Sequence, residues 1–441
     1  MEPEDGTPDE GTDVVAEAES GAAESAGTEP GAAESPRPGA TASAAEPDPW
    51  LVLDEPTASP ARVDALAKER AGRFAPDDVR RSAGLTSWLV RRAAADGSTV
   101  LDCTNWAAAL RGYGIEAPRP GLDAAAAAGR VVVLSSERAL AHPEWGPLEE
   151  QIADDVQAIL ASEGPDEPPA DPFDAALSLP LCVVAAGRGI DHGDWTARLE
   201  KRAQASGRPL TVVDQAHRLD LAAAAGLLED HDVDASLVLV GDPDQLEPVA
   251  PGRFFHDLVA SGTVPVVRLP VATAGDDGPI VRLVESLRAG ELPPIEAEQH
   301  AVAVCAVADA TEAIARVVEL VTETLPRVTG VGPSDVAVLG VRSAGAAGVE
   351  ALREAVGSEA VGSAGVVSAV HEAVGSAADA VVVVLPAESA GSLTRAHLIT
   401  AASVARRQLT IVHQAGPALA DAVHRRPHRP RRTRLAALLR G

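Results

Sequence analysis

Residues 211–258, TVVDQAHRLDLAAAAGLLEDHDVDASLVLVGDPDQLEPVAPGRFFHDL, constrain the fold more than any other stretch of the chain. Two apolar runs, Leu210–Val213 and Leu237–Val240, each end in an acidic polar cluster. An Ala- and Leu-rich stretch, Leu219–Leu228, lies between them. Parallel strands need a crossover, and the helical stretch supplies one, so the segment reads as a βαβ unit. In such sheets ligands bind beyond the carboxyl ends of the strands. Asp214 and the Gly241–Gln245 turn both fall on that edge. They read as an Mg²⁺-holding aspartate and a phosphate-sensing strand end.

The chain has 441 residues, room for two or three domains on the usual size scale. Its formal charge of −28 is uneven: residues 1–50 hold thirteen Asp and Glu against one Arg, leaving −16 on the remainder. An acidic body argues against broad phosphate-backbone binding, which needs clustered Lys and Arg, but leaves room for a local basic patch. Cys103, Cys182 and Cys305 lie far apart with no Cys-x-x-Cys, so neither a disulfide framework nor a zinc site is indicated. That suits a reducing cytoplasm. No run of about 18 apolar residues and no hydrophobic signal core occurs, so neither a membrane nor a secretory reading holds.

Along the chain, residues 1–48 read as a disordered acidic tail of Ala, Glu, Gly, Pro and Ser. Order is expected from Asp48-Pro49-Trp50. Residues 60–83 read as short helices punctuated by Pro and Gly, 86–98 as a further helix, then come Asn105–Tyr113, Gly121–Ala128 and a strand at Arg130–Leu134. Helix, helix, helix, strand is the order of a small winged-helix module. Arg91, Arg92 and Arg111 are the basic residues it would offer to DNA; a packing domain touching no DNA is the other reading. A helix at Leu148–Leu160 and the linker SEGPDEPPADP follow. The expected divisions are 49–140 for the helical module, 141–178 for helix and linker, 179–298 for a first α/β domain, 299–423 for a second, and 424–441 for a basic tail. Arg425, Arg426, Arg431 and Arg432 make that tail the best sequence-local anion binder, against a solvated tail or one paired with the acidic leader.

The residues also resemble a known family. Asp214-Gln215-Ala216-His217, Gly241-Asp242-Pro243-Asp244-Gln245-Leu246 and Pro251-Gly252-Arg253-Phe254 resemble motifs II and III of the first motor domain of RecD-like superfamily 1 DNA helicases. The segment 278–293 resembles the helix after motif IV, 369–375 motif V, and 399–409 motif VI. Pro49-Trp50 with 60–72 is similar to the helix-hairpin-helix entry, and 86–134 to the winged-helix part, of the longer RecD-type proteins. The resemblance implies tandem RecA-like P-loop NTPase domains behind a helical and winged-helix module. It also implies ATP and Mg²⁺ as cofactors, with Asp214 on the metal, the next residue positioning water, Gln245 reading the γ-phosphate, and DNA as partner, contacted in part by His371 of motif V.

The departures from that family all fall on ATP chemistry. A working phosphate loop carries a Lys on the β/γ-phosphates, yet no Gly-Lys-Ser/Thr occurs, and Lys68 and Lys201 are the only lysines. The loop position reads Gly187-Arg188-Gly189-Ile190-Asp191-His192-Gly193-Asp194. Its glycines, Gly187, Gly189 and Gly193, would form an anion nest, with Gly241 and Asp242 on the neighbouring strand end. Asp191 and Asp194 oppose this, since like charges roughly 4 Å apart cost on the order of 4 kcal/mol at an effective dielectric of 20; Arg188 offsets part of that cost. Gln215 stands where the family has Glu, and an amide cannot accept a proton. Residues 269–275 lack the motif IV Arg, and the motif VI Arg position falls on Val404, with Arg406 and Arg407 displaced. Lost arginine fingers cost about 10³ to 10⁵ in rate. Three readings stand: a DNA-associated helicase homologue with degenerate ATPase motifs, an active ATP-dependent DNA helicase with an atypical phosphate loop, and a protein-interaction scaffold that binds no nucleic acid.

Overall fold

The computed structural model describes residues 48–55, 57–71, 75–162, 165, 167–185, 192–269, 278–294, 301–359 and 367–441. The acidic leader, Gly187, Arg188, Gly189 and most of the 269–275 segment lie outside these residues.

Asp48 caps a 3-10 turn, Pro49–Asp54, by accepting from the Trp50 N–H at 2.9 Å, and Trp50 is buried to 1% exposure. Its indole N–H donates to Asp64 on α1 (Pro60–Ala71). The break expected near Gly84 does not occur, because α2 runs unbroken from Val79 to Ala95. A Cβ at Gly84 would lie 2.9 Å from the Trp50 Cβ, so this glycine admits the indole-bearing chain rather than ending a helix. Its helix-interior cost of roughly 0.5–1 kcal/mol is less than the roughly 1.5–3 kcal/mol from burying a large apolar side chain. Next come β1 (Val100–Asp102), α3 (Cys103–Gly112), α4 (Arg119–Ala127), β2 (Val132–Leu134) and β3 (Ala139–Ala141), with an antiparallel order β1-β3-β2. Helix, strand, two helices and two strands is winged-helix connectivity. The expected strand at 130–134 starts two residues later, and β1 and β3 were not visible in the sequence, because three residues show no period of two and neither has the β-branched run Val131–Val133 that marks β2.

After α5 (Trp145–Leu160) and α6 (Pro172–Ser178) comes a parallel sheet of β4 (Leu181–Ala185), β5 (Leu210–Val213), β6 (Ser236–Gly241) and β7 (Val266–Arg268). The helices α7 (His192–Ser206), α8 (Leu221–Glu229) and α9 (Phe254–Ser261) lie between them. The order is β5-β6-β4-β7, and Val213 pairs with Leu239, so the expected βαβ unit is present with its two acidic ends adjacent.

Beyond α10 (Pro279–Arg288) lies a second, wholly parallel sheet. Its strands are β8 (Val302–Ala306), β9 (Val336–Gly340), β10 (Val367–Ala369), β11 (Ala378–Leu385) and β12 (Ala405–His413), in the order β10-β9-β11-β12-β8. Its helices are α11 (Ala310–Glu319), which passes through a π-turn into α12 (Leu325–Thr329), then α13 (Val349–Glu359), α14 (Arg395–Val404) and α15 (Pro417–Arg425); α16 (Leu435–Leu438) ends the chain. The fold is tandem RecA-like α/β behind a small winged-helix module. Among the described residues, no helix is long and apolar enough to cross a membrane.

Packing redraws three groupings expected from the sequence. The apolar stripe of α10 (Ile280, Leu283, Val284, Leu287) joins the second sheet's core, with Leu339, Val383 and Ile411. Ile152, Val156 and Ile159 of α5 belong to the first core, so the helix expected at 148–160 packs with the 179–298 domain and not in a separate helix-and-linker segment. Leu435 and Leu439 of the expected basic tail are also in that core, at 0% and 5% exposure. A helical period of 3.6 shows that a face is buried but not which sheet receives it.

Candidate functional site

Asp214 follows β5 at the carboxyl edge of the first sheet. Its Oδ1 lies 3.3 Å from His192 Nδ1, at the start of α7, and accepts from the Gln215 N–H at 2.7 Å. Burial pushes the carboxyl upward, but the His192 hydrogen bond, the histidine's charge and the Gln215 N–H outweigh it, holding Asp214 below the usual carboxylate range. Gly193 and Asp194 sit exposed in the first turn of α7, where Asp194 pairs with Arg198 at 3.7 Å.

Gln215 adopts a left-handed backbone (φ 54). Its Oε1 accepts from Arg218 Nη1 at 3.3 Å, and the same Nη1 donates to the Val374 carbonyl at 3.2 Å, in the loop after β10. A Cβ at Gly375 would overlap the Gln215 carboxamide. Gln215, which the family resemblance would place beside the attacking water, is thus wedged against the other sheet. His371, earlier in that loop, lines a cleft of about 370 Å³ with Arg218, Leu246 and Val374. Its ring meets His397 edge-on at 5.7 Å.

The 241–246 turn is closed by protein partners. Asp242 is 0% exposed; its carboxylate accepts from Arg288 Nη2 at 2.6 Å, Gln245 Nε2 at 3.2 Å and the Asp244 N–H at 3.0 Å. Arg288 Nη1 reaches Asp244 at 2.9 Å, so one guanidinium from α10 forks across both acids. The Leu246 N–H donates to Thr400 Oγ1 on α14 at 2.9 Å. Gln245 is 8% exposed and turned toward Asp242. Gly241 has a packing reason to be glycine: a Cβ there would lie 2.9 Å from the Phe255 ring and 3.0 Å from His217 Nδ1. Burial drives His217 down to about 3, so the ring is neutral; its Nδ1 accepts from the Asp242 N–H, which leaves the proton on Nε2.

The basic residues divide sharply. Arg91 is engaged by Asp54, Ser87 and His142; Arg92 pairs with Asp96 at 3.5 Å; Arg111 is exposed at the end of α3. The 426–441 segment is a strap. Arg426 bonds the Ala390 and Gly391 carbonyls and Asp421. Arg431, 5% exposed, lies in a nest of the Pro248, Ala250 and Gly252 carbonyls beside Glu247. Arg432 pairs with Asp102 at 2.9 Å. Arg434 binds Glu137 in the wing turn and Glu150 at 2.7 Å each, while its N–H donates to Glu149. Arg425, its side chain 81% exposed, pairs with Asp421 at 3.4 Å. The sequence did not show Arg288, Arg218, His192 or Thr400 as partners of these motifs. The one available signal for the strap was LAALL at 435–439, apolar residues that a solvated tail would not carry.

Of the family's arginine positions, Val404 is 1% exposed inside the second core, while Arg407 faces Asp379 at 3.6 Å at the opposite, amino end of β12. Arg406 is exposed beside it and lines a separate cavity there.

Residues 183–309 match the AAA domain family model, a span that includes Asp214 and the 241–246 turn. Among solved structures, the chain is similar to the arterivirus nonstructural protein 10 helicase in complex with DNA, at 12% identity and TM-score 0.28 over 62% of this chain and 61% of that one. A second structure of the same helicase matches at 13% identity and TM-score 0.29, over 62% and 59%. The chain therefore spans about three fifths of the length of these helicase structures.

Proposed function

We propose that this chain is a RecD-like superfamily 1 helicase homologue that associates with DNA and has weak or no ATP-driven unwinding, in a cytoplasmic setting that keeps its three cysteines free. The observation that carries this reading is the engagement of Asp214, Gln215 and Gln245 by protein groups. His192 holds the metal-binding carboxylate, Gly375 and Arg218 hold the amide, and Asp242 holds the sensing glutamine. Tested against ATP and Mg²⁺, the described residues do not fit a hydrolytic site. One carboxylate stands where two acidic groups are needed, and Gln215 cannot take a proton from water. No step through ATP is therefore derived.

The test is titration of the full chain with a fluorescent ATP analogue and Mg²⁺. Affinity weaker than millimolar, unchanged in Asp214→Ala, is expected. Micromolar, Mg²⁺-dependent binding that is lost in Asp214→Ala would overturn the degenerate-site reading.

The partner-binding scaffold is a second reading, favoured by the winged-helix module. The wing residue Glu137 is held by Arg434, and α4, the helix placed to read a groove, offers Arg119 already paired with Asp123 at 2.8 Å. Binding of duplex and single-stranded DNA measured against salt separates the two. A flat response at low salt leaves the scaffold.

A further inference from the structure

We propose that Glu247, His256 and His428 form a binding site for a divalent transition-metal ion of the zinc type, which pins the C-terminal strap to the first sheet. The three residues come from separate parts of the chain: the loop after the 241–246 turn, the first turn of α9, and the strap. Their ligand atoms nevertheless all lie within 4.8 Å of one another. His256 is 7% exposed, and both of its ring nitrogens are buried with no hydrogen-bond partner among the described residues. Each such orphan costs about 1–3 kcal/mol, so the ring is placed at a penalty that a ligand would relieve. The His428 ring faces it edge-on, 5.3 Å between centroids, and the Phe255 ring also meets it edge-on at 6.1 Å.

The donor set selects the metal. Two imidazoles and a carboxylate suit Zn²⁺, Co²⁺, Ni²⁺ or Fe²⁺, whereas Ca²⁺ and Mg²⁺ require oxygens. The nearby arginines do not exclude a cation. Glu247 and Asp257 balance Arg253 and Arg431, with Glu247 Oε1 accepting from Arg253 Nη1 at 3.3 Å and Asp257 Oδ1 accepting from Arg253 Nε at 3.0 Å. Glu247 Oε2 lies 3.2 Å from Arg431 Nε, an ion pair without hydrogen-bond geometry, and that N–H has no hydrogen-bond partner among the described residues. Oε2 therefore turns to a metal at the loss of one poorly directed ion pair, while Arg431 keeps its three carbonyls.

The experiment treats the full chain with chelator, then titrates it with Zn²⁺ by calorimetry and with Co²⁺ by visible absorption. One equivalent is expected to bind, with imidazole-ligated Co²⁺ bands and slower hydrogen exchange in 426–434. Loss of a ligand should weaken binding on the order of tenfold or more, given that even outer-shell partners contribute 10–100-fold. His428→Ala reports this without disturbing a buried position, His256→Gln tests the second ligand, and exposed His424→Ala is expected to bind as the parent does. A flat titration would overturn the site. Undiminished binding in His428→Ala would overturn it equally.

Discussion

The Gln215 carboxamide occupies the space that a Cβ on Gly375 would need, so the strand-end turn of the first sheet interlocks with the loop after β10 of the second. Gly375 also holds φ +77, which L side chains adopt at a cost of about 1–2 kcal/mol. Gly375→Ala is expected to lose at least that much, plus the overlap. Adding Gln215→Ala should return the overlap part and leave the backbone part. Urea midpoints for the two single variants and the double give this coupling directly, and a double variant no more stable than Gly375→Ala would show that the wedge is not a real contact.

Arg288 is the larger energetic element of the same junction. Removing one partner of a buried ion pair strands the other, and here two carboxylates, one fully buried, depend on one guanidinium. Arg288→Ala should cost about 3–5 kcal/mol in denaturant unfolding. Arg288→Lys should recover only part, because a single ammonium cannot fork to both acids. A loss below about 1 kcal/mol, the usual size for a surface pair, would refute the clamp.

These two contacts mark the limit of what the sequence shows. The adjacency of Asp214 to the 241–246 turn and the tandem α/β layout follow from local apolar periods and short connections, which are properties of contiguous residues, whereas the strand orders, with β8 beside β12, do not. Arg288 meets Asp242 across 46 positions, Gln215 meets Gly375 across 160, and Arg434 meets Glu137 across 297. No local pattern encodes such pairings. The same reasoning explains the strap: an arginine run reads as solvated until its acidic partners on other elements are placed beside it.

Glu149 gives the strap a pH dependence. It is 0% exposed and accepts from the Arg434 and Leu435 N–H groups, and burial carries its carboxyl from 4.5 to about 7 against the pull of those bonds. Below pH 4.5 both the folded and unfolded chains hold the proton. As pH rises from there, the unfolded carboxyl releases it first, so stability falls until about pH 7 and is level above. The full span is about 3 kcal/mol. Glu149→Gln keeps an oxygen for both N–H groups and should remove this slope. A variant whose pH–stability curve between 4.5 and 7 matches the parent would exclude Glu149 as its source.

The strap's arginines should separate by experiment as they do in space. Arg431 and Arg434 are buried against Glu247, Glu137 and Glu150, so their loss belongs to folding. Arg429 of the strap and Arg425, the last residue of α15 just before it, face solvent and are the residues left to meet a phosphate backbone. Each phosphate contact contributes about 0.9 to the slope of log affinity against log salt. Arg425→Ala with Arg429→Ala should therefore lower that slope by about 2 with the melting temperature unchanged. Arg431→Ala should lower the melting temperature and leave the slope alone. Equal slope changes in both variants would mean that the strap leaves its nest to bind DNA, and the buried Arg431 geometry would then describe only the DNA-free form.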